Sequence, residues 1–208
     1  QELKTIGVLL IDTTKLPYGQ GNKMNWKLLV TADKKVDRFV FRDIDSRLSI
    51  RERVAVEEWI KSKKKFHIMR DHPSHSRHPI SGGMWGAVKG ALQNMEQKLN
   101  KHKNNAYIAD MHWLNKVVWP IAQKSSMQHD AFSCKKYKGA ISWPTKRVPW
   151  EHVGSVVRKG KLRKGDVQIL KRTKQDPRCR DRNESQLIDK VKAKISYRLS
   201  KIPIFSGV

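Results

Sequence analysis

DRFVFRDIDSRLSIRERVAVEEWIKSKKKFHIMRDHP, residues 37–73, contains a strand, a turn, a helix and a second strand in one continuous reading. Phe39, Val40 and Phe41 form a short apolar run with polar residues at both ends, which predicts a buried strand over 37–43. The run stops at Asp43-Ile44-Asp45-Ser46. Ser49 and Glu52 then supply the S-x-x-E pattern in which two side chains satisfy orphan N–H groups at a helix start. Ala55, Val56, Trp59 and Ile60 recur at helical spacing, and the lysines at 63–65 suit the negative end of the helix dipole. Phe66 to Met69 reads as the next strand, ending in the polar cluster Arg70 to His75.

The segments on either side extend this pattern. Upstream, residues 6–11 are apolar and read as a buried strand, Pro17, Gly19 and Gly21 mark a loop, and Trp26 to Val30 offers a second strand. Downstream, Gly82-Gly83 precede a predicted helix whose apolar positions are Met84, Val88, Leu92, Met95 and Leu99. Asp110 opens another, with Leu114, Val117, Val118 and Ile121 on its buried side. Residues 128–154 read as loop, and from about Arg158 a basic tail carries one helix over 185–199. The expected architecture is an α/β, Rossmann-like domain over residues 1–157 with a mixed, mostly parallel sheet flanked by helices. Residues 158–208 form a basic extension packed on or linked to it. Every polar cluster follows a strand, and such sheets bind ligands at the carboxyl ends of their strands.

Composition narrows the partners. The 208 residues include 44 Lys+Arg against 19 Asp+Glu, a formal charge of +25, which calls for phosphate-bearing or polyanionic partners. Nucleic acid would satisfy that charge, but no nucleic-acid motif or aromatic-interleaved basic stripe accompanies it, and the sequence argues against nucleic acid as the partner. No apolar run reaches the roughly 20 residues of a membrane span, and no signal peptide is visible. Cys134 and Cys179 fit no metal-ligand spacing and read as ordinary thiols of a reducing, cytoplasmic compartment. Gln1 in first position suggests a piece of a longer protein.

Four constellations carry chemistry. Asp43-x-Asp45, beyond an apolar strand and flanked by Arg42 and Arg47, suits a hard divalent cation, Mn²⁺ or Mg²⁺, that also binds a diphosphate. The four histidines at 67, 72, 75 and 78 lack zinc spacing, since Pro73 and Pro79 interrupt any helix. Gly82-Gly83 expose backbone N–H groups suited to a phosphate or a sugar hydroxyl. Asp110, in Asp110-Met-His112-Trp-Leu-Asn115, is either a helix cap or a functional acid, and His129-Asp130 is either a surface pair or part of a metal shell.

The runs RDIDSRLSIRERVAVEEWI, FHIMRDHP and GGMWGA resemble a family of GT-A-fold glycosyltransferases that attach sugars to proteins or surface polysaccharides. ADMHWLN is similar to the D-Q-D-x-L-N segment of the retaining galactosyl- and glucosyltransferases that include glycogenin, and HDAFSC and WPTKR extend the likeness, which covers about residues 24–154. The lysine-rich composition suggests a virally encoded member, of the kind found in large algal viruses, acting in the host cytoplasm. The resemblance implies transfer of a sugar from a nucleoside-diphosphate sugar, UDP-sugar being the expected donor, to a hydroxyl of a glycan or glycoprotein acceptor. It implies a cation held by Asp43, Asp45 and His129. It further implies donor contacts from Asp43, Arg42, Arg47, His72, Gly82, Gly83, Lys146 and Arg147, and catalytic acids among Asp110, Asp71 and Asp130. Two departures stand out. Only about forty residues precede D-x-D, which leaves Ile11 to Pro17 for the base, and Met111 and His112 replace the Gln and second Asp, which leaves retention or inversion open. A metal-dependent phosphohydrolase is the other enzymatic reading of D-x-D after a strand.

Overall fold

A computed structural model describes residues 8–12, 23–101 and 108–199. The expected loop at 17–21, most of the expected base-binding segment 11–17, and residues 6–7 of the first expected strand lie outside the described residues.

Five strands form one sheet: β1 (Arg38–Val40), β2 (Phe66–Arg70), β3 (Trp85–Val88), β4 (Ser126–Asp130) and β5 (Ala140–Ile141), in the order β1-β3-β2-β4-β5. β3 runs antiparallel to both neighbours, while β2, β4 and β5 are parallel. Four strands therefore point the same way, and the mixed, helix-flanked α/β sheet is compatible with a Rossmann-like arrangement. Register pairs Phe39 with Ala87 and His67 with Gly86. β2 is buried along its whole length, with Phe66 and Ile68 in the larger core and Met69 in a second cluster with Ala55, Met84, Trp143 and Val153. A central strand covered on both faces favours apolar or bonded groups, and in β2 His67 Nε2 pairs with His129 and Arg70 with Asp130, while His67 Nδ1 is left without a partner.

The helix predicted after D-x-D is α1 (Ile50–Ser62). Ser49 caps it by accepting from the Glu52 N–H at 3.2 Å, and Lys63 ends it in the left-handed region. Only half of the expected capping box forms, because the Glu52 carboxylate turns to Arg42 Nε at 2.6 Å. Helix α3 (Ala109–Trp113) continues through a π-helical turn, Leu114–Val118, into α4 (Trp119–Ala122). Pro120 lies just past that turn. A proline inside a helix lacks an N–H and crowds the carbonyl four residues back, and the wider turn relieves both.

Several expectations are corrected. Residues 8–11 form no strand, pair with neither sheet edge and are exposed, Leu9 by 79%. Trp26 to Val30 lie in a 3₁₀ segment, Lys23–Ala32, that buries Leu28. The helix expected from Met84 onward is instead strand β3, a turn, and the short α2 (Met95–Asn100). A Cβ on Gly86 would collide with the Phe39 carbonyl, so close pairing of β1 with β3 requires glycine there. Residues 128–154, expected as loop, contribute β4 and β5.

Beyond residue 156 the chain is more ordered than a tail. It forms the hairpin β6 (Val157–Arg158) and β7 (Lys161–Leu162), then α5 (Lys164–Arg172) and α6 (Ser185–Leu199). This part packs on the sheet domain through Arg182 to Glu58 (2.7 Å), Asp181 to Arg51 (2.8 Å) and Lys194 to Glu57 (3.1 Å). No helix among the described residues is long and apolar enough to cross a membrane.

The reading of Cys134 and Cys179 as free thiols is also corrected. Their Cα atoms are 5.7 Å apart and the two sulfurs are bonded, so the extension is tied covalently to the β4–β5 connection. The bridge closes a 45-residue separation, for which the chain-entropy argument gives about 4 kcal/mol. Cys179→Ser is expected to lower the unfolding free energy measured in urea by that amount, and an unchanged value would show that the salt bridges alone hold the extension.

Candidate active site

The direction of the strands gathers the polar segments on one edge of the sheet. β1, β2 and β4 all finish there, delivering Asp43, Asp71 and Asp130, and antiparallel β3 starts there just after Gly82-Gly83. Phe41 N–H bonds to the Trp85 carbonyl (2.8 Å) and Met69 N–H to the Met84 carbonyl (2.9 Å), so the ladder runs up to the glycine pair.

At this edge two acids distant in sequence meet bare backbone. A Cβ on Gly83 would lie 2.6 Å from Asp43 Oδ2, and one on Gly82 would lie 3.0 Å from both Asp110 Oδ2 and Lys27 Nζ. The Lys27 ammonium sits between the two carboxylates, 3.8 Å from Asp43 Oδ1 and 3.6 Å from Asp110 Oδ2. The Asp110 side chain is 3% exposed and that of Asp43 63%, so the group opens outward on the Asp43 side. The Gly82 N–H points to Met111 Sδ at 3.1 Å, which anchors the glycine pair on α3. Asp45 lies exposed on the same turn as Asp43, and its carbonyl accepts from Val157 N–H at 2.9 Å. Arg47 is exposed beyond it.

Arg42 is not a free donor-binding cation. Its guanidinium donates to the Gly83 carbonyl at 2.6 Å, contacts Met69 Sδ at 3.0 Å and pairs with Glu52. It fixes the glycine turn against β1 and α1, and its charge is already matched.

Three further acids and bases that the sequence offered for chemistry are committed to the interior. Asp71 is fully buried; Oδ1 accepts from Arg51 Nη2 (2.9 Å) and Arg147 Nη2 (2.7 Å), and Oδ2 from Arg51 Nε and Val153 N–H (both 2.9 Å). Burial pushes its carboxyl up, but the two arginines outweigh that and hold it below the usual range. Asp130 accepts from Arg70 Nε and the Ser133 hydroxyl (both 2.6 Å) and from the N–H groups of Phe132 and Ser133 (both 2.8 Å). With its lone pairs filled, neither carboxylate is free to take a proton from an acceptor. His129 has both ring nitrogens engaged, Nδ1 with His67 Nε2 at 2.8 Å and Nε2 with Glu58 at 3.0 Å, so it has no lone pair for a metal. Its burial lowers its pKa, as it does that of His67.

Arg147 is bound to Asp71 and packs over Phe132, whereas Lys146 is exposed beside the N-terminus of α1. His72 caps the 3₁₀ turn Pro73–Arg77 and bonds to Ser74. It also packs with His75 and His152, at ring distances of 5.7 and 4.5 Å.

The Asp43–Asp110 group offers a divalent cation hard carboxylate oxygens, and the Lys27 ammonium between them already matches part of their charge. A cation there would draw on Asp43, Asp45 or Asp110 and complete its shell with phosphate oxygens. The three-ligand cluster found among the described residues is Asp130 with Cys134 and Cys179, whose sulfurs are in the disulfide and cannot act as thiolates. Lys27 is the member of this group that sequence reasoning missed; it sits in the segment read as a strand, and nothing in its neighbours marks it. No protein-family model, curated protein or solved structure matches this chain.

Proposed function

We propose that the protein is a metal-dependent glycosyltransferase that binds a nucleoside-diphosphate sugar at the carboxyl edge of the sheet and transfers the sugar to a hydroxyl of a glycan or glycoprotein. The observation that carries this reading is the convergence of Asp43, Asp110 and Lys27 on the Gly82-Gly83 backbone. A diphosphate needs cations, unhindered approach to backbone and carboxylates able to hold a metal, and these groups, distant in sequence, offer all three at one edge of the sheet. Bound there, Mn²⁺ or Mg²⁺ would neutralise charge growing on the diphosphate as the anomeric C–O bond breaks. Lys27 adds a fixed positive charge on the same side. Asp110 is the one acid of the three named earlier whose partner is an ammonium rather than buried arginines, so it is the residue left to orient or deprotonate the acceptor hydroxyl.

Calorimetry with Mn²⁺ and a panel of nucleotide sugars tests the reading. Asp43→Asn should weaken metal-dependent donor binding by about a hundredfold, and Asp45→Ala should also reduce it. The unfolding midpoint should stay put, because both side chains face solvent. Undiminished donor binding by both variants removes the carboxylate assignment. The charge of +25 supports one other reading, nucleic-acid binding. Tight, salt-sensitive binding to generic duplex without sugar turnover would favour it, and phosphate release from simple monoesters would favour a phosphohydrolase.

A further inference from the structure

Glu52 departs from what its own helix asks of it. Three residues after the Ser49 cap of α1, its carboxylate is placed to close the capping box on the Ser49 N–H. It turns instead to Arg42 Nε at 2.6 Å, where the two side chains are 5% and 11% exposed and Glu52 Oε2 is left without a partner. Burial raises the Glu52 carboxyl and lowers the Arg42 guanidinium, so both charges are held at a desolvation cost. A buried ion pair adds little net stability over apolar side chains of similar volume. Where a local rule and solvation are both given up, the reason is to be sought in what the pair holds.

Arg42 holds the two backbone segments that frame the candidate site. Its Nη1 donates to the Phe41 carbonyl and, at 2.6 Å, to the Gly83 carbonyl. The guanidinium therefore links the residue preceding it on the Asp43 strand to the glycine turn, next to the ladder bond from Phe41 N–H to Trp85. Gly82 and Gly83 are the central residues of that turn, which Met84 N–H closes on the Ser81 carbonyl at 3.0 Å. Gly82 N–H goes to Met111 Sδ, and Gly83 N–H has no acceptor among the described residues. A Cβ on Gly83 would lie 2.6 Å from Asp43 Oδ2, so a small rotation of this turn changes how carboxylate and backbone meet.

We propose that Glu52 is a positioning residue of the candidate site: it aims Arg42, and Arg42 sets the Gly83 peptide against Asp43 so that both face one diphosphate. The inference rests on the transferase reading and adds to it a pair that acts at one remove, since neither Glu52 nor Arg42 touches the ligand.

The test uses the full chain at about 150 mM salt, which suppresses diffuse binding to a basic surface. Inorganic pyrophosphate and UDP are titrated by calorimetry with and without Mg²⁺, beside urea unfolding of each variant. Arg42→Lys keeps a charge beside Glu52 but has no fork with which to reach Gly83 as well. Arg42→Met with Glu52→Leu replaces the pair by apolar side chains, which should leave the unfolding midpoint near that of the parent. Both variants should weaken Mg²⁺-dependent pyrophosphate binding about tenfold while folded. A folded variant of either kind that binds like the parent would overturn the proposal, as would a loss of binding that only tracks the unfolded fraction. A parent chain that binds neither probe in a Mg²⁺-dependent way would instead overturn the transferase reading, and the positioning role with it.

Discussion

Asp71→Asn is expected to destabilise the fold by about 3–5 kcal/mol, the range found when one partner of a buried ion pair is removed. The size follows from what the substitution leaves behind. Arg51 and Arg147 both direct guanidinium groups at this carboxylate, and their side chains are only 6% and 15% exposed. Arg51 retains Asp181 at 2.8 Å and its stacking over Trp143, so it is partly compensated. Arg147 loses its carboxylate outright and keeps the Asp71 and Glu151 carbonyls, the former at 2.7 Å. Asn offers one acceptor oxygen where four donors converge, and its amide nitrogen faces donors rather than acceptors. Urea unfolding at pH 7 measures the cost. The same experiment decides between two roles for Asp71: loss of activity with undiminished stability would make it a catalytic acid, and a large loss of stability makes it the pin that holds the 145–153 segment to β2.

That contrast shows what could be read from the sequence. The segment from Phe39 to Met69 was legible because its signals are local: an apolar run, a cap three residues before its N–H partner, and side chains repeating at helical spacing. The edge at which polar clusters gather followed from strand direction. The identity of the working acids did not. Asp43, Asp71, Asp110 and Asp130 all stand near the start of a turn or helix. What separates them is whether an arginine remote in sequence has been folded against them. Arg51 and Arg147 take Asp71 and Arg70 takes Asp130, while among the described residues the ion-pair partner of Asp43 and Asp110 is Lys27. The helix expected from Met84 failed for a related reason. Spacing of three or four among Met84, Val88, Leu92, Met95 and Leu99 fits a helix, but Gly82, Gly83, Gly86 and Gly90 weaken one, and pairing on both sides of β3 decided the outcome. The bond between Cys134 and Cys179 crosses from a sheet connection to the extension, and no spacing rule reaches that far.

Acidification from pH 7 to 4.5 is expected to remove several kcal/mol of stability, with histidines rather than carboxylates responsible. His72, His75 and His152 pack ring to ring where the 3₁₀ turn meets the 152–155 bend, and His152 Nδ1 is 3.0 Å from the Ser155 hydroxyl. Burial, then repulsion from the other two rings, lowers His75 to about 3, and burial followed by His72 lowers His152 to about 4. Asp71 and Asp166 oppose these shifts, and Arg42 and Arg147 add to them. A folded pKa below the unfolded value of 6.5 means full stabilisation above pH 6.5. Below it the unfolded chain takes up protons that the folded chain refuses, until the folded pKa is reached. Two such groups amount to a loss on the order of 5 kcal/mol by about pH 4. The downshifted carboxylates Asp71, Glu57 and Glu58 start from unfolded values of 4.5 or below, so their stabilisation is lost at lower pH. Urea titrations at pH 7, 6, 5 and 4.5 should therefore show a fall that begins near 6.5 and shrinks in a His75→Gln, His152→Gln variant. A flat profile down to 4.5 would mean that these rings take up protons as readily in the folded chain as in the unfolded one, and the packing between the 3₁₀ turn and the 145–155 segment would have to be looser than the ring distances imply.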